Sequence, residues 1–123
     1  MTKLFGASGR PGTDRFYIAS YQRDAGDGER EHKHTLIQSF LVMRGRIRVV
    51  LPGGHRPELP SGSMLTVPSM MPHAVDVLED ETVYTATFYE PDGPFVDWDR
   101  LRREQTPSLT RDEVAERRVR LGG

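Results

Sequence analysis

The chain is 123 residues long, with 17 basic and 18 acidic side chains and a formal net charge of −1. That length predicts one domain with one real core, and the balanced charge provides no field to draw in nucleic acid or an anionic membrane. There is no cysteine, which excludes disulfides, a thiolate metal site and a cysteine nucleophile, so any metal would be held by His, Asp, Glu, Gln, Asn or backbone oxygen.

In chain order, the opening MTKLFGASGRPGTDR lacks the apolar run of a signal peptide, and no segment approaches the ~18 apolar residues of a membrane span. A cytoplasmic protein is expected. Residues 1–14 read as a polar N-terminal arm, about 15–90 as the core, and 91–123 as a polar tail. Within the core, RFYIASY (15–21), IQSFLVMR (37–44), RIRVVL (46–51), SMLTVP (63–68), HAVDVL (73–78) and TVYTATFY (82–89) alternate with the strand period. Turn signals separate them: DAGDG (24–28), Gly45, PGG (52–54), LPSG (59–62), PSMMP (68–72) and EDE (79–81). Short, closely spaced strands without intervening helices predict an antiparallel sandwich or barrel, not βαβ units.

Helix is expected only in the tail. FVDWDRLRR (95–103) reads as a short turn of helix anchored by Phe95, Trp98 and Leu101. Thr110 is followed three residues later by Glu113, a capping-box signature for a helix over about 111–120, closed by Gly122. Its apolar face is thin, with Val114, Ala115, Val119 and Leu121, so it needs a surface to lie on.

Chemistry-bearing residues concentrate in EHKHTLIQ (31–38). If one continuous strand runs through it, His32, His34 and Gln38 fall on the same face by parity, together with Leu36, Phe40 and Val42. His73 opens the strand HAVDVL on the same face as Val75 and Val77, so a third histidine starts an inward-pointing row. His55 follows Pro-Gly-Gly amid charged neighbours and reads as an exposed loop residue.

The stretch from Gly28 to about Tyr89 resembles the cupin family. The family's first motif carries two histidines one residue apart, then a glutamate, then a glycine. Here His32, His34, Gln38 and Gly45 stand at those spacings. The second motif carries a glycine, a Pro-x-Gly turn, a histidine and an asparagine, matched by Gly62, Pro68-Ser69-Met70, His73 and Val77. The sequence departs from the pattern at Gln38 (for Glu), Met70 (for Gly) and Val77 (for Asn). The preceding glycine is Gly28 or, at the family's spacing, Gly26. Met70 implies a turn that avoids positive φ or strains a long side chain.

The resemblance implies an all-β antiparallel double-stranded β-helix (a jelly-roll, or cupin barrel) with a short C-terminal helix. It also implies one divalent metal ion (Zn, Ni, Fe, Co or Mn) on His32, His34 and His73, with Gln38 in the fourth ligand's position. A neutral amide there leaves the site one negative charge short. The ion would then be a stronger Lewis acid, an anionic substrate oxygen would bind better, and an iron centre would be harder to oxidise.

Tyr84 and Tyr89 are the expected proton shuttles, with Tyr17 on a further bordering strand and Glu29 and Glu31 just preceding the ligands. Met43, Met64, Met70 and Met71 are expected in the core or pocket wall. The leading expectation is an enzyme activating an oxygen-rich small molecule as an enolate or anion, of cyclase, isomerase or lyase type; polyketide cyclases and sugar-acid converting enzymes are similar small cupins. One alternative is a dioxygenase cleaving a flavonol- or diketone-like substrate. A second is a metal- or sugar-binding cupin without catalysis. A small-molecule substrate is the expected partner, and a homodimer paired through sheet edges is the expected assembly. No DNA-binding helix pair accompanies the barrel.

Overall fold

The computed structural model describes residues 2–5, 16–90 and 109–122. The helical turn expected over 95–103 lies outside the described residues. Among the described residues there are nine strands: β1 (Thr2–Phe5), β2 (Phe16–Arg23), β3 (Gly28–His32), β4 (Ile37–Arg44), β5 (Arg46–Val50), β6 (Glu58–Pro60), β7 (Met64–Val67), β8 (His73–Val77) and β9 (Thr82–Tyr89). One sheet has the order β1-β2-β9-β4-β7 and the other β3-β8-β5-β6, and every strand pair is antiparallel.

From β2 to β5 the chain changes sheet at each step. The change between β4 and β5 takes a single residue, Gly45, whose φ of 84° favours glycine. A Cβ there would lie 2.3 Å from the Thr82 hydroxyl. Two layers so connected form the jelly-roll expected from the alternating pattern.

Alternation fixes the core. Along β9, Thr82, Tyr84, Ala86 and Phe88 are buried while Val83, Thr85, Thr87 and Tyr89 are half-buried. Tyr84, Phe40, Leu36 and Ile47 are among the largest fully enclosed side chains, the last three each worth about 1.5–3 kcal/mol of burial. Of the methionines expected inside, only Met71 packs against this core. Met43, Met64 and Met70 are exposed at 56%, 67% and 47%. Met43 and Met64 follow the outward parity of Leu41, which pairs directly with Met64.

Three strands lie outside the six expected: β1, TKLF in the stretch read as an arm, and two hidden by their composition. β3 is GEREH, a charged edge strand, and β6 is ELP, an edge strand that ends in proline.

The helix α1 (Arg111–Gly122) starts at the expected cap. The Glu113 N–H donates to the Thr110 hydroxyl at 3.2 Å, and the Thr110 N–H donates to Glu113 Oε1 at 3.2 Å. Of the expected apolar face, Val114 is half-buried, while Val119 is 74% exposed and Ala115 is exposed. Charged contacts add to that thin apolar attachment. Arg30 pairs with Glu113 at 2.6 Å, Arg118 reaches Asp80 at 3.4 Å, and Arg117 contacts Asp76 at 2.9 Å while donating to the Val75 carbonyl at 3.1 Å. Among the described residues, no helix is long and apolar enough to cross a membrane.

Candidate metal centre

His32, His34, Gln38 and His73 converge at one end of the barrel, but not by the parity of one strand. β3 ends at His32, residues 33–36 cross between the sheets, and β4 begins at Ile37 in the other layer. His32 therefore comes from the four-stranded sheet, His34 from the crossing segment, and Gln38 from the five-stranded sheet. A β-bulge aims His32. Glu29 pairs with Val75 and His32 with His73, so β3 has one residue more than its partner between these rungs. The shift puts His32 opposite His73, with ring centroids 4.4 Å apart. The turn at 68–72 is tied in by the Met70 N–H, which donates to the His34 carbonyl at 2.8 Å. Met70 itself takes φ 64°, the left-handed conformation its side chain disfavours.

The three histidines form a group able to hold a metal ion, with ligand atoms within 4.8 Å of one another. Each Nδ1 faces a backbone carbonyl: His32 to Arg30 at 2.6 Å, His34 to Leu36 at 2.8 Å and His73 to Met71 at 2.9 Å. A carbonyl only accepts, so each Nδ1 carries the hydrogen and each Nε2 turns toward the common centre. Burial lowers the His73 pKa to about 4 and also lowers that of His32, which favours the neutral imidazoles that metals require.

Gln38 is fully buried. Its Oε1 lies 3.0 Å from His34 Nε2 and 3.2 Å from His73 Nε2. Two donors each about 2.1 Å from one ion would be about 3.0 Å apart at a right angle and about 3.4 Å apart at the tetrahedral angle. The observed spacings fall in that range. The buried His32 Nε2 and Gln38 Nε2 have no hydrogen-bond partner. A converging set of nitrogen lone pairs with an amide oxygen at coordination spacing fits a cation.

The tyrosines expected to shuttle protons are placed apart from this centre. Phe40 stands between Tyr84 and His73, with centroids 6.3 Å and 6.2 Å away respectively. Tyr89 is on the opposite face of β9, in register with Ile37 and Phe16. Tyr17 is buried beside Phe88, with ring centroids 5.3 Å apart.

Glu90 was not singled out by the sequence reading. It continues the inward alternation of β9 just beyond Phe88, whose ring is 5.8 Å from His34, and it is half-buried. The signal was β9 parity, once Phe88 is known to face inward. His55 is exposed in its loop.

A second polar group lies deeper, toward the other end. Glu29 is fully buried with neither carboxylate oxygen hydrogen-bonded, and the buried Tyr84 hydroxyl is likewise unpartnered. Burial raises the Glu29 carboxyl to about 7, opposed by the charge of Arg23. Arg23 lies 4.5 Å over the Tyr21 ring, which stacks on Tyr84 at 4.9 Å.

No family model and no curated protein sequence matches the chain. Solved structures match it in fold. An RmlC-like cupin protein from Desulfovibrio desulfuricans aligns with TM-score 0.57 and 22% identity over 72% of this chain and 80% of that one. KdgF from Halomonas aligns with TM-score 0.61 and 22% identity over 77% and 81%. Oxalate decarboxylase from Bacillus subtilis aligns with TM-score 0.58 and 18% identity over 66% of this chain and 22% of that one.

Proposed function

We propose that this chain, which has the cupin fold, is a metal-dependent enzyme that works on a small oxygen-rich acid or carbonyl compound without consuming oxygen. The observation that carries the reading is Gln38, an uncharged amide among three imidazoles at coordination spacing. His32, His34, His73 and Gln38 would hold one divalent ion. Bound there, the ion would polarise a substrate oxygen and acidify the neighbouring C–H bond. None of the four side chains brings a negative charge, so an anionic substrate oxygen would complete the charge balance. Oxalate decarboxylase, which shares the fold, is named for such a small acid.

The chain's own residues then have separable tasks. The three backbone carbonyls fix the imidazole tautomers. Phe40 and Phe88 wall the histidines and exclude water from that side. Glu90, next along the inward parity of β9, is the carboxyl assigned here to take a proton from substrate and return it. This chemistry is of isomerase, cyclase or lyase type.

The test is oxygen consumption by metal-loaded protein with candidate hydroxy acids, uronates and diketones. Turnover without oxygen uptake is expected. Stoichiometric uptake would overturn this reading in favour of a dioxygenase. Turnover unchanged in Glu90→Gln would remove Glu90 from it.

A homodimer is part of the same proposal. The pairing of Leu41 with Met64 at the β7 edge, together with Met43, leaves an apolar strip on the outer face of the five-stranded sheet. Light scattering should read two chains for the wild type, and a monomeric mass would refute the assembly.

A further inference from the structure

On the other side of β8 from His73, a pocket of about 650 Å³ opens between the four-stranded sheet and α1. Its floor is small and apolar, made by Val50 and Ala74, which pair across β5 and β8. Around that floor stand four arginines from three separate parts of the chain: Arg48 on β5, Arg56 on the loop before β6, and Arg117 and Arg120 on α1. Two acids, Glu31 and Asp76, share the lining, so the pocket carries excess positive charge on a chain whose net charge is −1.

The arginines are not equally committed. Asp76 is taken up by Arg117 at 2.9 Å and lies 3.8 Å from Arg48, which also has Glu58 at 3.8 Å. Among the described residues, Arg56 and Arg120 have no acidic partner. Arg117 is held in place by Asp76 and the Val75 carbonyl, which anchors the helix wall that carries Arg120. Two uncommitted and two part-committed guanidinium groups lining one pocket with an apolar floor suit a ligand with a carbon skeleton and at least two oxyanion groups, since guanidinium pairs with phosphate and carboxylate through two parallel hydrogen bonds. The volume is that of an ordinary small-molecule site.

We propose that this pocket binds a small organic polyanion carrying two or more phosphate or carboxylate groups, at a site separate from the histidine centre. Ala74 lines this pocket while its neighbour His73 faces the barrel interior, so the two sites are back to back across one strand.

The test is calorimetric titration at low salt with two probes: fructose 1,6-bisphosphate for the phosphate arm and propane-1,2,3-tricarboxylate for the carboxylate arm. Three proteins are compared: the wild type, Arg56→Ser/Arg120→Ser, and His32→Ala. Arg56 and Arg120 are exposed, so the double variant should fold as the wild type does. At least one probe should bind the wild type saturably, bind His32→Ala equally well, and bind the double variant about tenfold or more weakly. Which probe binds tells phosphate from carboxylate. Saturable binding of neither probe, undiminished binding to the double variant, or loss of binding in His32→Ala would each overturn the proposal.

Discussion

His73 Nε2 and Gln38 Oε1 face each other at 3.2 Å, although both are acceptors. The His73 Nδ1 hydrogen is given to the Met71 carbonyl, and a pKa near 4 leaves the ring neutral at physiological pH. Opposed lone pairs at this distance repel unless a cation lies between them. Gln38→Glu adds the missing charge at the same position. It should tighten divalent-metal binding by about tenfold or more and weaken the binding of an anionic probe such as oxalate to the loaded protein. A competing chelator reads the first change and calorimetry the second. Equal metal affinities would mean that the side chain at 38 does not ligate.

Glu29 predicts a pH dependence of stability. Its carboxyl is raised from 4.5 to about 7 by burial. Between those values the folded state holds a proton that the unfolded state has lost, so this group's contribution falls as pH rises through the interval. The loss is on the order of 3 kcal/mol. His32 and His73 are shifted down and act oppositely, since the unfolded state binds their protons first and their contribution is lost as pH falls below 6.5. Comparing Glu29→Gln with the wild type isolates the carboxyl. In urea melts, the variant's advantage should grow by that amount between pH 4.5 and 8. A constant difference would place the Glu29 pKa near its ordinary value.

Met70 predicts a stabilising substitution. Its φ of 64° costs a non-glycine residue about 1 kcal/mol, and its side chain is 47% exposed. Met70→Gly should raise stability by about 0.5 kcal/mol, the strain relieved minus the added freedom of the unfolded chain. Metal affinity should not change, because the N–H that holds His34 remains.

Gly28 predicts a damaging one. It has φ 150°, and a Cβ there would lie 1.9 Å from the Val75 carbonyl oxygen and 2.9 Å from Arg117 Nη1. Gly28→Ala must separate β3 from β8 and displace the guanidinium that holds α1. A loss of about 3 kcal/mol is expected, together with faster proteolysis of the C-terminal helix. An unchanged melt would show that the edge strand yields freely.

Much of this was legible in the sequence, for identifiable reasons. Six strands have side-chain alternation strong enough to read, and two histidine motifs marked the centre. Parity brought His32, His34 and Gln38 together on one assumed strand, whereas a bulge and a sheet crossing do so in the structure. The depth of Tyr84 and the exposure of Met64 depend on register between strands distant in sequence, which no local pattern carries. The helix cap was legible because it is local. How the helix is attached was not, because Arg117 and Arg118 find Asp76 and Asp80 only after folding.

The split origin of the four side chains has a mechanical consequence. His32 and His73 belong to one layer of the sandwich and Gln38 to the other, with His34 on the strap between. An ion held by all four would rivet the two layers. Prying the layers apart would require breaking coordination bonds, so the affinity for the ion would add directly to the cohesion of the sandwich. The melting temperature of the whole fold should then climb with the concentration of free metal.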